Sequence, residues 1–281
     1  MNPQAVEPVT RPASEARPDA RRRSHIADHL PEYAAEALGL GIFMLSACGF
    51  AVLLFHPHSP VVAALPSLML RSVAMGLAMG LTAVLNVYSP WGRRSGAHLN
   101  PSFTLAFYRL GKVARRDLAG YIGGQFVGAL AGTGLAVFLL RRWIADPAVN
   151  FVATVPGAQG VAVAFLAELV ISFLLMLVVL TVLSRPKLAR YTGFFAGGMV
   201  ALYITFEAPL SGMSMNPART IGSAVYAHVW TAVWLYFLAP PLGMLLAVES
   251  MRGARAVREQ MCAKLHHDDR VRCIFCEHRQ G

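Results

Sequence analysis

Charge is the scarcest commodity in this chain of 281 residues: Asp, Glu, Lys and Arg together make up only 14% of it, where a soluble domain carries about 25%. So few charges cannot supply the polar shell of a water-soluble fold. The N-terminal region lacks the apolar h-region of a cleaved signal, and its Arg21-Arg22-Arg23 is not followed directly by an apolar run, which excludes twin-arginine export. Its first thirty residues, rich in Pro, Ala and Arg, read as a disordered tail. Acids are the rarer sign, 15 against 25 Lys and Arg, for a formal net charge of +10. No basic patch interleaved with aromatics accompanies that excess, so nucleic acid is not the expected partner. What is abundant is hydrophobic side chain, 56% of the residues, with a mean hydropathy of +0.50.

The apolar residues gather into six runs with few charges, 34–55, 68–88, 118–140, 161–183, 191–209 and 229–250. Each is close to the roughly 20 residues that cross a hydrocarbon core of about 30 Å. The basic residues fall on alternate sides of these runs. Arg11, Arg17, Arg21, Arg22 and Arg23 precede the first; Arg93, Arg94, Arg109, Lys112, Arg115 and Arg116 lie between the second and third. Arg185, Lys187 and Arg190 lie between the fourth and fifth, and Arg252, Arg255, Arg258, Lys264, Arg270, Arg272 and Arg279 follow the sixth. Only Arg71, Arg141, Arg142 and Arg219 fall elsewhere. The positive-inside rule therefore predicts a multi-pass protein of the cell membrane with both termini in the cytoplasm.

Two segments are too apolar for ordinary loops and too short to cross. Residues 95–101 read Ser-Gly-Ala-His-Leu-Asn-Pro and residues 211–219 read Ser-Gly-Met-Ser-Met-Asn-Pro-Ala-Arg. Asn is a preferred helix N-cap and Pro belongs at the first helical position. Each segment thus reads as extended chain followed by a helix of about ten residues, near 15 Å or half a bilayer. Each half of the chain holds two spans, one such half-helix and a third span, so the halves are inverted in the membrane. Irregular backbone at that depth must be buried or line a watery cavity. The expectation is an all-α polytopic membrane protein: six transmembrane helices plus two re-entrant half-helices in an inverted repeat. The tail covers 1–30, the channel-like domain 31–251 in halves of about 31–142 and 160–251, and a second tail 252–281.

These two motifs, with Gln125 in the third span and Trp-Leu-Tyr-Phe-Leu-Ala-Pro-Pro-Leu-Gly at 234–243, resemble the signature loops of the aquaporin (major intrinsic protein) family over residues 33–250. The resemblance implies a passive channel for water or small uncharged solutes that excludes protons and ions, assembled as a homotetramer, with no cofactor and no catalysis. Asn100, Pro101 and Ser102, the last where the family usually has Ala, and Asn216, Pro217 and Ala218 match the paired pore motifs. Physically, Asn100 and Asn216 cap the half-helices and aim an amide N–H at the conduit. The carbonyls of Gly96, Ala97 and His98, and of Gly212, Met213 and Ser214, form a ladder of acceptors. The facing helix N-termini repel cations at the centre. Arg219 resembles the family's selectivity-filter arginine; with one extra residue allowed in 89–94, the other filter positions fall at Met79, Ile204 and Met213. Ile204 stands where strict water channels usually have His, and Thr220 where glycerol facilitators usually have Asp. The expected constriction is apolar and adaptable, passing water with glycerol, urea, ammonia, hydrogen peroxide or a metalloid hydroxide. In the family, acids such as Glu36 and Glu168 brace the loops; Gln125 is grouped with them, and His98 is read as a satisfied loop histidine.

A secondary transporter is the rival, since inverted repeats and broken helices occur there too. It would normally add ionisable groups at the midplane. No span offers an acid–base pair or a nucleophile with its base, so an enzyme is not expected. In the C-terminal tail Cys273 and Cys276 have CxxC spacing, with His278, His266, His267 and Cys262 nearby. One CxxC in so short a tail is a weak zinc signal, and the expectation is no metal site: a reduced, solvated basic tail near anionic lipid, with Cys273, Cys276 and His278 as the candidate ligands. Cys48 reads as a small packed residue.

Overall fold

The computed structural model describes residues 18–253 and 262–277, with side chains from residue 27 onwards. Arg11, Arg17, Arg255, Arg258, Arg279 and the candidate ligand His278 lie outside the described residues. The first half comprises α1 (Pro18–Phe55), α2 (Pro60–Ala64), α3 (Leu68–Tyr88), α4 (Pro90–Ser95), α5 (Pro101–Arg109) and α6 (Arg115–Leu140). The second comprises α7 (Val161–Leu183), α8 (Thr192–Phe206), α9 (Ala208–Ser211), α10 (Pro217–Ala227) and α11 (Val233–Gly253), with a last turn, α12 (Ile274–Glu277), near the C-terminus.

Two expected boundaries move. Helix α1 starts at Pro18, so the tail expected to be disordered as far as residue 30 is helical over its last part. Near its boundary with the first span this helix is gripped by Asp117 in the first turn of α6, which accepts from the Tyr33 hydroxyl at 2.7 Å and pairs with His29 at 2.7 Å. A polar grip of that kind leaves no trace in a hydropathy pattern. The fifth span is also shorter than its apolar run, because α8 has 15 residues, about 22 Å. A 3-10 turn at Ala189–Tyr191 precedes it and the one-turn α9 follows. Among the described residues five helices are long and apolar enough to cross a membrane unaided, and α8 is the missing sixth.

The packing repeats between halves. Helix α1 lies along α6, α7 lies along α11, and α3 meets α8 across the pseudo-two-fold. The α1–α6 seam depends on close backbone approach: a Cβ on Gly132 would stand 2.2 Å from the Gly41 carbonyl oxygen. Outside, Leu77, Leu81 and Leu85 form an exposed stripe on α3 at 64%, 58% and 62% exposure. Such a stripe is stable against acyl chains and would be a liability in water.

The C-terminal segment departs from expectation altogether. It is not a solvated tail but folds against the end of the bundle, with Ala263, Lys264 and Phe275 fully buried. The Lys264 ammonium donates to the carbonyls of Arg93 at 2.7 Å and Arg272 at 2.9 Å. Burial pushes its pKa down, and nearby thiols partly offset this.

Candidate functional site

The two irregular segments are built alike, residue for residue. After α4 and α9 the chain turns through left-handed glycines, Gly96 with φ +100° and Gly212 with φ +79°. Further left-handed residues follow: Ala97 and Leu99 in one loop, Met213 and Met215 in the other, all have φ between 47° and 55°. Non-glycine residues are held there at a cost of about 1–3 kcal/mol each unless the surroundings over-determine them. Here a buried carboxylate does so. Glu36 accepts the His98 and Leu99 amides at 3.0 and 2.6 Å, and Glu168 accepts the Ser214 and Met215 amides at 2.6 and 2.7 Å. Tyr121 donates to the Ser95 carbonyl at 2.6 Å and Tyr236 to the Ser211 carbonyl at 2.5 Å. Gln125 completes the first bracket, donating 2.7 Å to Glu36 and 3.0 Å to Thr104. The tyrosines and Ser95 and Ser211 had no signal in the sequence beyond their matching places in the two halves.

Each loop ends in its asparagine. The Asn100 Oδ1 accepts the Ser102 amide at 2.8 Å, and the Asn216 Oδ1 accepts those of Ala218 and Arg219 at 3.0 and 3.2 Å, capping α5 and α10. Pro101 and Pro217 occupy the first helical position, where no N–H is required. The amides also bond across the repeat. Asn100 Nδ2 donates to the Met215 carbonyl and Asn216 Nδ2 to the Leu99 carbonyl, both at 2.7 Å. The half-helices are thereby locked tip to tip. An NH2 group has two hydrogens, so the lock uses one N–H on each asparagine.

A cavity runs past this joint. Met75, Met79, Ile204, Met213 and Arg219 line it together with Asn100 and Asn216. The guanidinium of Arg219 has a buried Nη1 without a hydrogen-bond partner in the protein. Of the six residues expected to offer carbonyls, Ala97, His98, Met213 and Ser214 line the cavity, and Gly96 and Gly212 do not. The Gly96 carbonyl instead accepts the Leu265 amide at 3.1 Å, and Gly212 is spent in the turn that closes α9. Leu99 and Met215, not foreseen, also line it. The His98 side chain is buried, donates from Nε2 to the Ala263 carbonyl at 2.8 Å and stacks between Phe107 and Phe275. Glu207, hidden inside the predicted fifth span, keeps both carboxylate oxygens buried and unbonded in the protein at the start of α9.

A symmetric pair of asparagine-capped half-helices over a lined conduit is an architecture for passage, and comparison with known proteins identifies it. Residues 24–249 match the family model described as Major intrinsic protein. The chain belongs to the major intrinsic protein family. It is 33% identical over 227 residues to "Probable aquaporin NIP7-1" of Arabidopsis thaliana, covering 78% of this chain and 74% of that one. It is 33% identical over 205 residues to "Aquaporin NIP1-3" of Oryza sativa subsp. japonica, covering 73% and 67%. Among solved structures the aquaglyceroporin from Plasmodium falciparum superposes with a TM-score of 0.64 at 21% identity, over 79% of this chain and 95% of that one, a likeness of fold. As a major intrinsic protein this chain is a membrane-embedded channel for water and small neutral solutes, in a family of channels and not of enzymes or ion-coupled carriers.

Proposed function

We propose that this channel conducts water together with small uncharged solutes of the glycerol, urea, ammonia, hydrogen peroxide or metalloid-hydroxide kind, while excluding protons and ions. The observation that carries this reading is the composition of the cavity wall. Met79, Ile204 and Met213 line the cavity along with one arginine, Arg219, so the wall combines a cation's donors with flexible apolar surface. A solute with a polar edge and a slim apolar body suits such a wall. Arg219 and the two facing helix N-termini oppose cations, and the tip-to-tip asparagines supply donors that orient a passing oxygen. Glu36 and Glu168 serve as braces: each is fully buried and accepts loop amides, so neither of these two carboxylates is free for a proton relay. We further infer a homotetramer in the plasma membrane with both termini cytoplasmic, supported by family membership and by the placement of the basic residues.

Stopped-flow shrinkage of proteoliposomes under osmotic gradients of each solute tests this. Water and at least one of the solutes pass several-fold faster than through empty vesicles, with rates linear in the gradient and independent of a proton gradient. Arg219→Val keeps the water flux and raises proton leak, read with an entrapped pH dye. A leak equal to wild type removes Arg219 from the barrier, and flux at the level of empty vesicles for every solute removes the permeation reading.

A further inference from the structure

The C-terminal segment brings together four metal-ligating side chains. One ligating atom each from Cys262, His267, Cys273 and Cys276 lies within 4.8 Å of the others. The Cys262 sulfur is 3.4 Å from that of Cys273 and 3.8 Å from that of Cys276. Two thiolates on one tetrahedral zinc, each at about 2.3 Å, stand about 3.8 Å apart, so the spacing is that of a site ready to close on an ion. Further features match such a site. The Lys264 amide points to the Cys262 sulfur at 3.5 Å, and Asp269 stands 3.1 Å from the His267 Nε2, the pairing by which a carboxylate orients a ligating imidazole through its other nitrogen. Three sulfurs and one nitrogen select zinc over the hard divalent cations. The fourth ligand is thus His267, while His266 turns away to stack edge-on against Tyr88.

The same sixteen residues, 262–277, sit on the pore. Leu265 is part of the cavity wall and its amide takes the Gly96 carbonyl, one of the acceptors expected to face the solute. Ala263 takes the His98 imidazole, and Phe275 stacks on it at 5.4 Å. Regular structure in this segment amounts to the single turn α12, too little to hold a lid by itself. A metal site would tie the first run of these contacts (Ala263, Leu265) to the second (Phe275).

We propose that Cys262, His267, Cys273 and Cys276 bind one zinc ion, and that the bound ion holds residues 262–277 across the mouth on the termini side and closes the channel. The proposal rests on the channel function and makes it conditional on metal. Cobalt and zinc are the probes, on the full-length protein. Purified wild type binds one cobalt per chain with thiolate-to-metal charge-transfer bands, displaced by zinc, and Cys273→Ser and Cys276→Ser lose them. In proteoliposomes with zinc equilibrated on both faces, wild-type water flux is several-fold lower than after chelation, and Cys273→Ser conducts at the chelated level with or without zinc. Phe275→Ala separates docking from ligation: it retains the metal and conducts with zinc present. Absence of the charge-transfer bands overturns the site. Metal bound without a change in flux, or zinc inhibition that persists in Cys273→Ser, overturns the closure. Failure of Cys273→Ser and chelated wild type alike to conduct is a failure of the channel reading, and in that case slow hydrogen exchange at the Leu265 amide with zinc, against fast exchange with chelator, decides whether the metal docks the segment; equal exchange overturns docking.

Discussion

Glu168 shows what a single buried charge does in this molecule. It accepts the amides of Ser214 and Met215 and the hydroxyl of Ser211, so the carboxylate holds a left-handed residue, Met215, that the backbone alone would reject. A hydrogen bond to a charged group contributes about 1.5–3 kcal/mol, and a buried donor left unpaired costs about as much. Glu168→Gln presents an amide donor to amide donors at one of its two positions. The expected outcome is a loss of about 3 kcal/mol or more, seen as a lower thermal midpoint in detergent, with flux lost in proportion to folded protein. A variant that keeps wild-type stability but changes the pH dependence of flux would make Glu168 a proton-handling group. The motif residues around it were legible because Asn-Pro at a helix start has a mechanism that spacing reveals. Glu207 was not, because one acid inside an apolar run looks like noise until the fold buries it.

Among the elements, the seam between α1 and α6 is decided by the smallest side chains. Gly132 leaves the Gly41 carbonyl 2.2 Å from where its Cβ would be, while nothing lies within 4 Å of the corresponding position on Gly49. Gly132→Val therefore forces the helices apart. Overpacking of this kind costs about 1–3 kcal/mol, and the measurement is folded yield by size exclusion together with the thermal midpoint. Gly49→Ala is the control: with open space and about 1 kcal/mol of helix propensity in favour of Ala, it leaves stability unchanged or raises it. Equal loss in both variants would mean that close approach at Gly132 is not what governs the seam. The four-residue spacing of Gly124, Gly128 and Gly132 is one that lets helices approach closely, but which helix they meet is not written in the spacing. The shortened α8 has the same origin, since hydropathy runs through a chain break that only the turn at Glu207 defines.

At the scale of the whole molecule, orientation follows from the basic loops. An epitope tag inserted after Gln159 is expected to be reached by antibody on intact cells, and one after Lys187 only after permeabilisation. The reverse pattern would overturn the assignment of both termini to the cytoplasm, and with it the side on which residues 262–277 act. Both insertion points are exposed, so the tags should leave the bundle intact.

By itself the sequence determined that this chain lives in lipid, crosses it repeatedly, and doubles back twice at Asn-Pro. Those are consequences of composition, run length and local capping chemistry, all of which act over a few residues. Only the tertiary structure decided which of the expected loop residues line the conduit, that the two asparagines lock to each other's loop, and that the supposedly solvated tail packs back on the first loop. These depend on contacts between residues more than a hundred positions apart, such as His98 with Ala263, and no local pattern encodes where the far partner will be.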